Sequence, residues 1–279
     1  MGADCKSVGL RLHRFESCTC HTNQAPFRGG LIAFEGSIVD SASMSARFEE
    51  LDWSETPMGI ISLRRRIEPS LNVDVYEVKL DDEFLMSSLF TAAEVALAHL
   101  GLAEAVDANL DVVVGGLGLG YTAQTALSDP RVQSLIVVEA LGEVIGWHQR
   151  ALLPDTAELA SDPRIRLQRG DFFAMADSTA GFDPQAPGRR FHAVLLDIDH
   201  TPRHVLHPSH SAFYTPAGLG RLVAHLHPGG VFALWSDDPP DPDFEAVLAE
   251  VFDRSEATVV RFPNPLTGGY STNTVYVAR

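Results

Sequence analysis

The stretch Asp111-Val-Val-Val-Gly-Gly-Leu-Gly-Leu-Gly120 decides the fold of this chain. Its consecutive valines predict a strand that is buried on both faces, as in a parallel sheet. The glycines that follow allow the backbone to turn sharply and to pass close to a ligand. Residues 121–127 predict a helix, whose N-terminus favours polar or anionic groups. A strand, a glycine loop and a helix in this order are typical of a nucleotide pocket in an open α/β sheet.

Downstream of this stretch, strand-like and helix-like segments alternate to the end of the chain. Predicted strands cover 134–139, 164–168, 192–197 and 231–236, and predicted helices cover 121–128, 141–153, 215–226 and 242–253. Two last strands, near 256–262 and 273–278, have no helix-length segment between them, which predicts an antiparallel hairpin. The alternation predicts a Rossmann-like, doubly wound α/β sheet that binds its ligand at the carboxyl ends of the strands.

The residues before this region predict smaller parts. Residues 59–66 and 72–80 predict a β-hairpin to which residues 82–88 add a short strand, and we assign 44–90 to a small β-hairpin subdomain. Thr91 is expected to cap a helix that continues to Leu102, with Glu94 completing a capping box. Residues 1–43 lack sustained periodicity and are expected to be a poorly ordered extension. Residues 91–279 then form the ligand-binding domain.

Composition and charge exclude several classes of function. The chain has 279 residues and a formal net charge of -16, so it repels phosphate backbones and no nucleic-acid partner is expected. No stretch approaches the roughly 20 apolar residues of a membrane span, and no secretory signal is recognised, so no membrane partner is expected. The cysteines lie at positions 5, 18 and 20, which fits a reducing compartment. We expect a cytoplasmic protein.

Acidic residues recur where the predicted strands end. Glu139 ends the second strand, Asp171 follows the third and Asp197 ends the fourth. Because parallel strands end at one edge of a sheet, these side chains are expected to face one crevice. A carboxylate in the first position accepts hydrogen bonds from a ribose diol, and one in the second can accept from an exocyclic amine. For a single Asp, capping of the next helix is an equally good interpretation.

The glycine loop alone leaves two nucleotide classes open. Residues 118–123, Gly-Leu-Gly-Tyr-Thr-Ala, satisfy the dinucleotide fingerprint, and Glu139 follows about 20 residues later, so the loop does not exclude NAD. The choice between NAD and an adenosyl sulfonium compound therefore depends on the rest of the chain.

Three other segments resemble the spermidine synthase (polyamine aminopropyltransferase) family of the class I S-adenosylmethionine-dependent methyltransferase superfamily. They are Phe191-His-Ala-Val-Leu-Leu-Asp-Ile-Asp199, Ala212-Phe-Tyr-Thr-Pro-Ala-Gly-Leu219 and Leu226-His-Pro-Gly-Gly-Val231. The resemblance covers roughly residues 53–279. It implies a seven-stranded sheet with a small N-terminal β-domain. It also implies transfer of an aminopropyl group from decarboxylated S-adenosylmethionine to a small-molecule amine, without a metal.

The resemblance implies roles for individual residues. Asp197 opens the family's acidic active-site loop, and Asp197 and Asp199 would bind and deprotonate the amine. Independently of the resemblance, His200 next to Asp199 is a further candidate proton acceptor, because imidazole titrates near neutrality. Glu139 would bind the ribose hydroxyls and Asp171 would lie beside adenine. The full set of expected contacts to S-adenosylmethionine or its decarboxylated form is Gly115, Gly116, Gly118, Gly120, Glu139, Asp171 and Phe172. A homodimer formed through the hairpin is a further implication.

Several alternatives stay open at this point. Leu119 stands near the position at which the family's loop carries an Asp, which keeps a methyltransferase of the same fold, or a non-catalytic nucleoside-binding relative, under consideration. Histidines at 200, 204, 207 and 210 crowd one loop, but no predicted strand or helix fixes their geometry. We therefore predict no metal site there.

Overall fold

The structure is a computed structural model that describes residues 47–279. The extension predicted for residues 1–43 and the boundary predicted at residue 44 lie outside the described residues. Within residues 47–279, no helix has both the length and the apolar composition that crossing a membrane requires.

The small subdomain is a sheet of four antiparallel strands: the predicted hairpin, the short strand predicted at 82–88, and one further strand at its other edge. Its strands are β1 (Phe48–Thr56), β2 (Gly59–Glu68), β3 (Val73–Leu80) and β4 (Glu83–Ser87), paired in that order. β1 was not predicted, because it is an edge strand whose exposed positions carry Phe48 and acidic residues and break the alternation. Ile61, Leu63 and Val78 turn inward and join the core of the larger sheet.

The larger sheet is the predicted doubly wound α/β sheet, which confirms the predicted fold class. Its strands are β5 (Leu110–Gly115), β6 (Val132–Glu139), β7 (Ile165–Arg169), β8 (Phe191–Leu196), β9 (Leu226–Ser236), β10 (Ser255–Asn264) and β11 (Gly269–Ala278). They lie in the order β10-β11-β9-β8-β5-β6-β7. β9, β8, β5, β6 and β7 are parallel, and β10 and β11 form the antiparallel hairpin at one edge.

Helices cover both faces of this sheet. They are α1 (Ala92–Glu104), α2 (Tyr121–Ser128), α3 (Gly142–Gln149), α4 (Phe172–Asp177), α5 (Pro216–Val223) and α6 (Pro242–Val251). α1, α2 and α3 pack with the small sheet on one face, and α4, α5 and α6 pack on the other. Val112 and Val114 point into the first core and Val113 into the second. Burial on both faces explains the unbroken apolar run of β5.

Two local predictions are wrong. Thr91 precedes α1, but its side chain makes no capping hydrogen bond. Glu94 does not complete a capping box; its side chain is buried with Leu97 and Ala98 on the inner face of the helix. In addition, α3 ends at Gln149, because Ala151 takes a left-handed conformation with φ of 52° and the chain turns before Pro154.

The basic run 64–66 is paired within the small sheet. Glu77 on β3 accepts from the Nε atoms of Arg64 and Arg66, at 2.7 and 2.8 Å. Arg66 also donates to Glu68, and Arg65 lies 3.0 Å from Glu49. The run therefore does not present three free positive charges.

Candidate active site

The glycine loop after β5 has the backbone conformation that its glycines allow. Gly116, Gly118 and Gly120 have φ angles of 91°, 46° and 90°, a region that favours glycine. A Cβ atom on Gly116 would collide with the backbone carbonyl of Asp197. The missing side chain therefore lets the ends of β5 and β8 approach each other, and this brings the loop and Asp197 together.

Neighbouring side chains hold the loop in place. The Leu119 N–H donates to Met86 Sδ at 3.3 Å, and this sulfur atom also lies over Gly118. His148 Nε2 donates to the Gly118 carbonyl at 2.9 Å, since a carbonyl oxygen accepts. Leu119 itself is 1% exposed, so its side chain belongs to the core and does not face the crevice.

Glu139 connects the end of β6 to the glycine loop. Its Oε2 accepts from the Leu117 N–H at 3.0 Å, and its Oε1 accepts from the Leu141 N–H at 2.8 Å. Burial raises the pKa of this carboxyl group, and the backbone N–H donors oppose that effect. Each carboxylate oxygen has a second acceptor position. Glu139 can therefore position the loop and still accept from a ligand.

Asp171 and Phe172, the residues predicted to lie beside adenine, occupy different environments. Asp171 is exposed and caps α4, because its Oδ1 accepts from the N–H groups of Phe173 and Ala174 at 2.9 and 3.2 Å. Its Oδ2 takes no part in the cap. Phe172 is 2% exposed and stacks on Phe182, with ring centroids 4.9 Å apart. We therefore reassign Phe172 from the cofactor contacts to the core.

Asp197 follows the last residue of β8 and lies beside the glycine loop. Its Oδ2 accepts from Thr122 Oγ1 at 2.7 Å. Burial raises the pKa of Asp197 to about 6, and the hydrogen bond from Thr122 opposes this. Asp197 as a whole residue is of intermediate exposure, so it is not sealed inside the core.

Glu94 is near enough to Asp197 to be affected by its charge, and the sequence interpretation missed it as a site residue. It stands in the first turn of α1 and is 8% exposed. Burial and the charge of Asp197 raise the pKa of Glu94 to about 8. Among residues 47–279, no positive group contributes to the pKa of either carboxyl. The available signal was an acidic residue within the apolar stripe of a helix, at helical spacing from Leu97 and Ala98.

Trp235 forms the wall next to this pair. β8 and β9 are parallel, and Leu196 pairs with Leu234, so Asp197 and Trp235 follow side by side. Side chains two positions before them, Leu195 and Ala233, point into the core that α1 covers. Trp235 packs against the same core, and its buried Nε1 atom has no hydrogen-bond partner within the described part of the chain.

Asp199 has a structural position that excludes the predicted contact with an amine. It is 1% exposed. Its Oδ1 accepts from the Leu206 N–H at 2.7 Å and from His210 Nδ1 at 2.8 Å, and its Oδ2 accepts from the Tyr214 hydroxyl at 2.8 Å. Burial and the nearby carboxylate of Asp199 raise the pKa of Tyr214, so the phenol stays protonated. We correct the assignment: Asp199 anchors the loop after β8.

His200 points toward the small sheet. Its Nε2 lies 3.1 Å from Glu83 Oε1, and its backbone carbonyl accepts from the Asp237 N–H at 2.8 Å. Among the hydrogen bonds of residues 47–279, the His200 side chain has Glu83 as its partner, and its role as a proton acceptor stays a prediction. Over residues 47–279, no three His, Cys, Asp or Glu side chains are grouped as metal ligands would be.

Comparison with known proteins supports this architecture. No family model matches the chain. A spermidine synthase in complex with the transition-state analogue AdoDATO has a TM-score of 0.60 and 16% identity, over 82% of this chain and 71% of that one. Spermidine synthase from Thermotoga maritima has a TM-score of 0.61 and 16% identity, over 82% and 72%. A probable spermidine synthase from Corynebacterium glutamicum has a TM-score of 0.55 and 19% identity, over 81% and 79%. The chain therefore has a spermidine synthase-like fold.

Proposed function

We propose that this protein is a transferase that binds S-adenosylmethionine or its decarboxylated form and transfers an aminopropyl group to a small amine. The observation that carries the proposal is Asp197. It is a carboxylate at the carboxyl edge of the sheet, it lies beside the glycine loop, and its pKa is raised by burial to about 6. A carboxyl group with a perturbed pKa, at the carboxyl ends of the parallel strands and without a cationic partner in residues 47–279, is a candidate proton acceptor.

The residues around the glycine loop fit an adenosyl ligand. The second acceptor positions on the Glu139 oxygens suit the two hydroxyl groups of a ribose. Asp171 Oδ2, which takes no part in the helix cap, is available to an exocyclic amine. Met86 covers Gly118, and its flexible thioether side chain can rotate away from the loop. When bound, a sulfonium donor supplies a carbon that is already activated, so the amine attacks it and the carbon–sulfur bond breaks with its electron pair on sulfur.

The protein's own part in this chemistry is to prepare the amine. An amine attacks only when its nitrogen is neutral, so a base must take its proton. Asp197 is suited to this, because Thr122 donates to Oδ2 and no hydrogen bond from residues 47–279 engages Oδ1. A pKa near 6 leaves the carboxylate largely ionised at neutral pH and still basic enough to accept a proton. The negative charge also attracts a cationic acceptor.

Methyl transfer to a small molecule is the second candidate, and Leu119 favours it. The resemblance predicts an Asp near this position of the loop, whereas the Leu119 side chain is buried in the core. Without that carboxylate the loop has no evident partner for the amino end of a decarboxylated donor. The two candidates share the adenosyl site and Asp197 and differ in the group that is transferred.

A ligand screen followed by one variant tests the proposal. We expect S-adenosylmethionine, its decarboxylated form or methylthioadenosine to raise the melting temperature, because a ligand of the folded state stabilises it. Preference for the decarboxylated form supports aminopropyl transfer, and preference for S-adenosylmethionine supports methyl transfer. Stabilisation by NAD alone would overturn both.

The variant Asp197→Asn separates binding from turnover. We expect the melting-temperature shift with the preferred ligand to persist and transfer to a diamine to fall by about 100-fold or more, since the amide cannot accept the proton. Asp177→Asn is the matched control, because Asp177 is exposed on α4 and paired with Arg221. Wild-type turnover in Asp197→Asn would remove Asp197 from the mechanism.

A further inference from the structure

We propose that His148 and Thr156 are positioning residues that orient the glycine loop for its ligand. Each of them holds one carbonyl group of the loop toward the protein, and the Leu119 N–H is thereby directed to the opposite side. The role in ligand binding rests on the proposed function. The restraint on the loop does not, because it is a set of hydrogen bonds within the folded chain.

Two buried side chains donate to neighbouring carbonyl groups of the loop. His148 Nε2 donates to the Gly118 carbonyl at 2.9 Å, and Thr156 Oγ1 donates to the Leu119 carbonyl at 2.9 Å. His148 and Thr156 are each 1% exposed. Because water does not compete for a hydrogen bond in such a place, each bond fixes the orientation of its carbonyl group.

Gly120 allows both donors to come this close to the loop. A Cβ atom on Gly120 would lie 2.7 Å from His148 Cε1 and 3.3 Å from Thr156 Cγ2. The φ angle of Gly120, 90°, is in addition a conformation that favours glycine. The last glycine of the loop is therefore in direct contact with the two side chains that restrain it.

A turn after α3 brings the two donors to the same part of the loop. α3 ends in a Schellman motif, because Ala151 takes a left-handed φ of 52° and the Leu152 N–H donates to the Trp147 carbonyl at 3.0 Å. The chain then reaches the short 3-10 helix Pro154–Thr156. Gln124 Nε2 on α2 donates to a carbonyl of this short helix at 2.7 Å. The position of the Thr156 hydroxyl is therefore fixed by α2 as well as by α3.

The protonation state of His148 suits this role. Since the Gly118 carbonyl only accepts, Nε2 carries the proton and Nδ1 has a lone pair. Nδ1 is buried and has no hydrogen-bond partner among residues 47–279, so a second proton there would lack an acceptor. Burial lowers the pKa of His148, although its bond to Gly118 opposes this. The ring is therefore a neutral donor to the loop.

The restrained carbonyl groups determine where the Leu119 N–H points. Residues 47–279 contain no cis peptide bond, and the C=O and N–H groups of a trans peptide unit point in opposite directions. The peptide unit between Gly118 and Leu119 therefore directs its N–H away from His148 and toward Met86, whose Sδ accepts it at 3.3 Å. A thioether sulfur is a weak acceptor on a flexible side chain. A ligand oxygen that displaces it gains the stronger hydrogen bond.

Substitutions of similar shape test the hydrogen bonds separately from packing. Thr156→Val removes the donor, whereas Thr156→Ser keeps the hydroxyl group. His148→Met removes the other donor, whereas His148→Gln provides an amide N–H in its place. We expect the dissociation constant of methylthioadenosine, measured by calorimetry, to rise about tenfold in Thr156→Val and His148→Met and to stay within about twofold of the wild type in Thr156→Ser. His148→Gln is expected to recover most of the lost affinity.

The melting temperature of each variant without ligand separates positioning from stability. All titrations are made well below these temperatures, so that every variant is folded. A lower melting temperature with an unchanged dissociation constant in Thr156→Val and His148→Met would overturn the positioning role. If His148→Met does not fold, the comparison of Thr156→Val with Thr156→Ser decides.

Amide hydrogen exchange in the protein without ligand tests the restraint independently of the proposed function. The Gly120 N–H donates to the Leu117 carbonyl at 2.8 Å and reports on the loop. We expect faster exchange at Gly120 in Thr156→Val than in the wild type and Thr156→Ser. Equal exchange in all three proteins would overturn the restraint. Faster exchange in Thr156→Val, in a protein whose wild type does not bind methylthioadenosine, would instead overturn the proposed function and with it the role in binding.

Discussion

The small sheet and the carboxyl ends of the parallel strands in the large sheet each bury acidic side chains. The two regions differ in whether arginines neutralise these carboxylates. In the small sheet, Glu77 is 3% exposed and accepts from two arginines. Near the carboxyl ends of the parallel strands, Glu94 is 8% exposed and Asp197 is partly buried. Within the described residues, no positive group contributes to the pKa of either of these carboxyls.

The difference separates the region in which charged side chains stabilise the fold from the region in which they are available for chemistry. A buried carboxylate that is paired on both oxygens has its charge compensated by the fold. A buried carboxyl pair without a counterion keeps a proton or waits for a cation, and this lowers the stability of the folded state near neutral pH. Function is therefore expected where the charges are uncompensated, and the following predictions test that division.

The largest expected effect comes from breaking the paired region. We expect Glu77→Gln to lower the free energy of unfolding by about 3 kcal/mol, because it leaves Arg64 and Arg66 close together without the carboxylate between them. Urea unfolding measures the change. Glu49→Gln is the control: this residue is an exposed partner of Arg65, so its loss is expected to cost about 0.5 kcal/mol or less. Equal costs for the two variants would contradict the comparison.

The next prediction concerns Glu94 and Asp197. Their negative charges are expected to lower the free energy of unfolding, whereas the carboxylate of Glu77 is expected to raise it. The pKa of Glu94 is raised from 4.5 to about 8 on folding, so between these values the folded state holds a proton that the unfolded state releases. The free energy of unfolding is therefore expected to fall as pH rises through this window, by up to about 1.4 kcal/mol per pH unit. Asp197 adds to the fall between 3.8 and about 6.

Glu94→Gln removes the titrating group and sharpens this prediction. We expect the variant to lose the decline between pH 6 and 8 and to be more stable than the wild type at pH 8, because it has no carboxylate to bury. Denaturant unfolding at a series of pH values measures both effects. The same decline in both proteins would assign it to other groups.

The fold could be predicted from local patterns, because these patterns and the tertiary contacts specify the same strands and helices. Residues 112–114 are buried on both faces, and three consecutive valines between Asp111 and the glycines from Gly115 onward favour such a strand. β1 escaped prediction because an edge strand needs to bury little of its surface, so its exposed positions carry residues such as Glu49 and Glu50. The elements that could be predicted are those in which neighbouring residues show by their apolar pattern which faces are buried.

The site was less predictable, because burial of a polar side chain depends on distant partners. Glu94 fits a capping box by spacing, and only the approach of Asp197, far along the chain, gives it another role. Asp199 was placed in the site because it follows Asp197 closely. His210 and Tyr214, which come later in the sequence, close over its carboxylate and remove it from the crevice. Spacing along a loop does not specify which face of the loop turns inward.

Asp197 and Asp199, two positions apart, show the same difference: the hydrogen bonds of the fold engage both carboxylate oxygens of Asp199, but only one oxygen of Asp197. We expect Asp199→Asn to lower the free energy of unfolding by about 1–3 kcal/mol, because an amide cannot accept hydrogen bonds at both ends. Asp197→Asn is not expected to be destabilising, since Asn can still accept from Thr122. Unfolding measurements on both variants, with amide exchange at Leu206 as a local probe, check the ranking. A more destabilised Asp197→Asn would contradict it.

The smallest effect separates the two roles of Asp171. Its loss in Asp171→Ala removes the cap of α4 and is expected to cost about 1 kcal/mol. Asp171→Ser restores an oxygen that can accept from the Phe173 and Ala174 N–H groups, but it has no second oxygen for a ligand. If Asp171 also contacts adenine, the Ser variant regains stability and still binds adenosyl ligands more weakly than the wild type. If the Ser variant regains both, Asp171 is a capping residue and the adenine contact belongs elsewhere in the crevice.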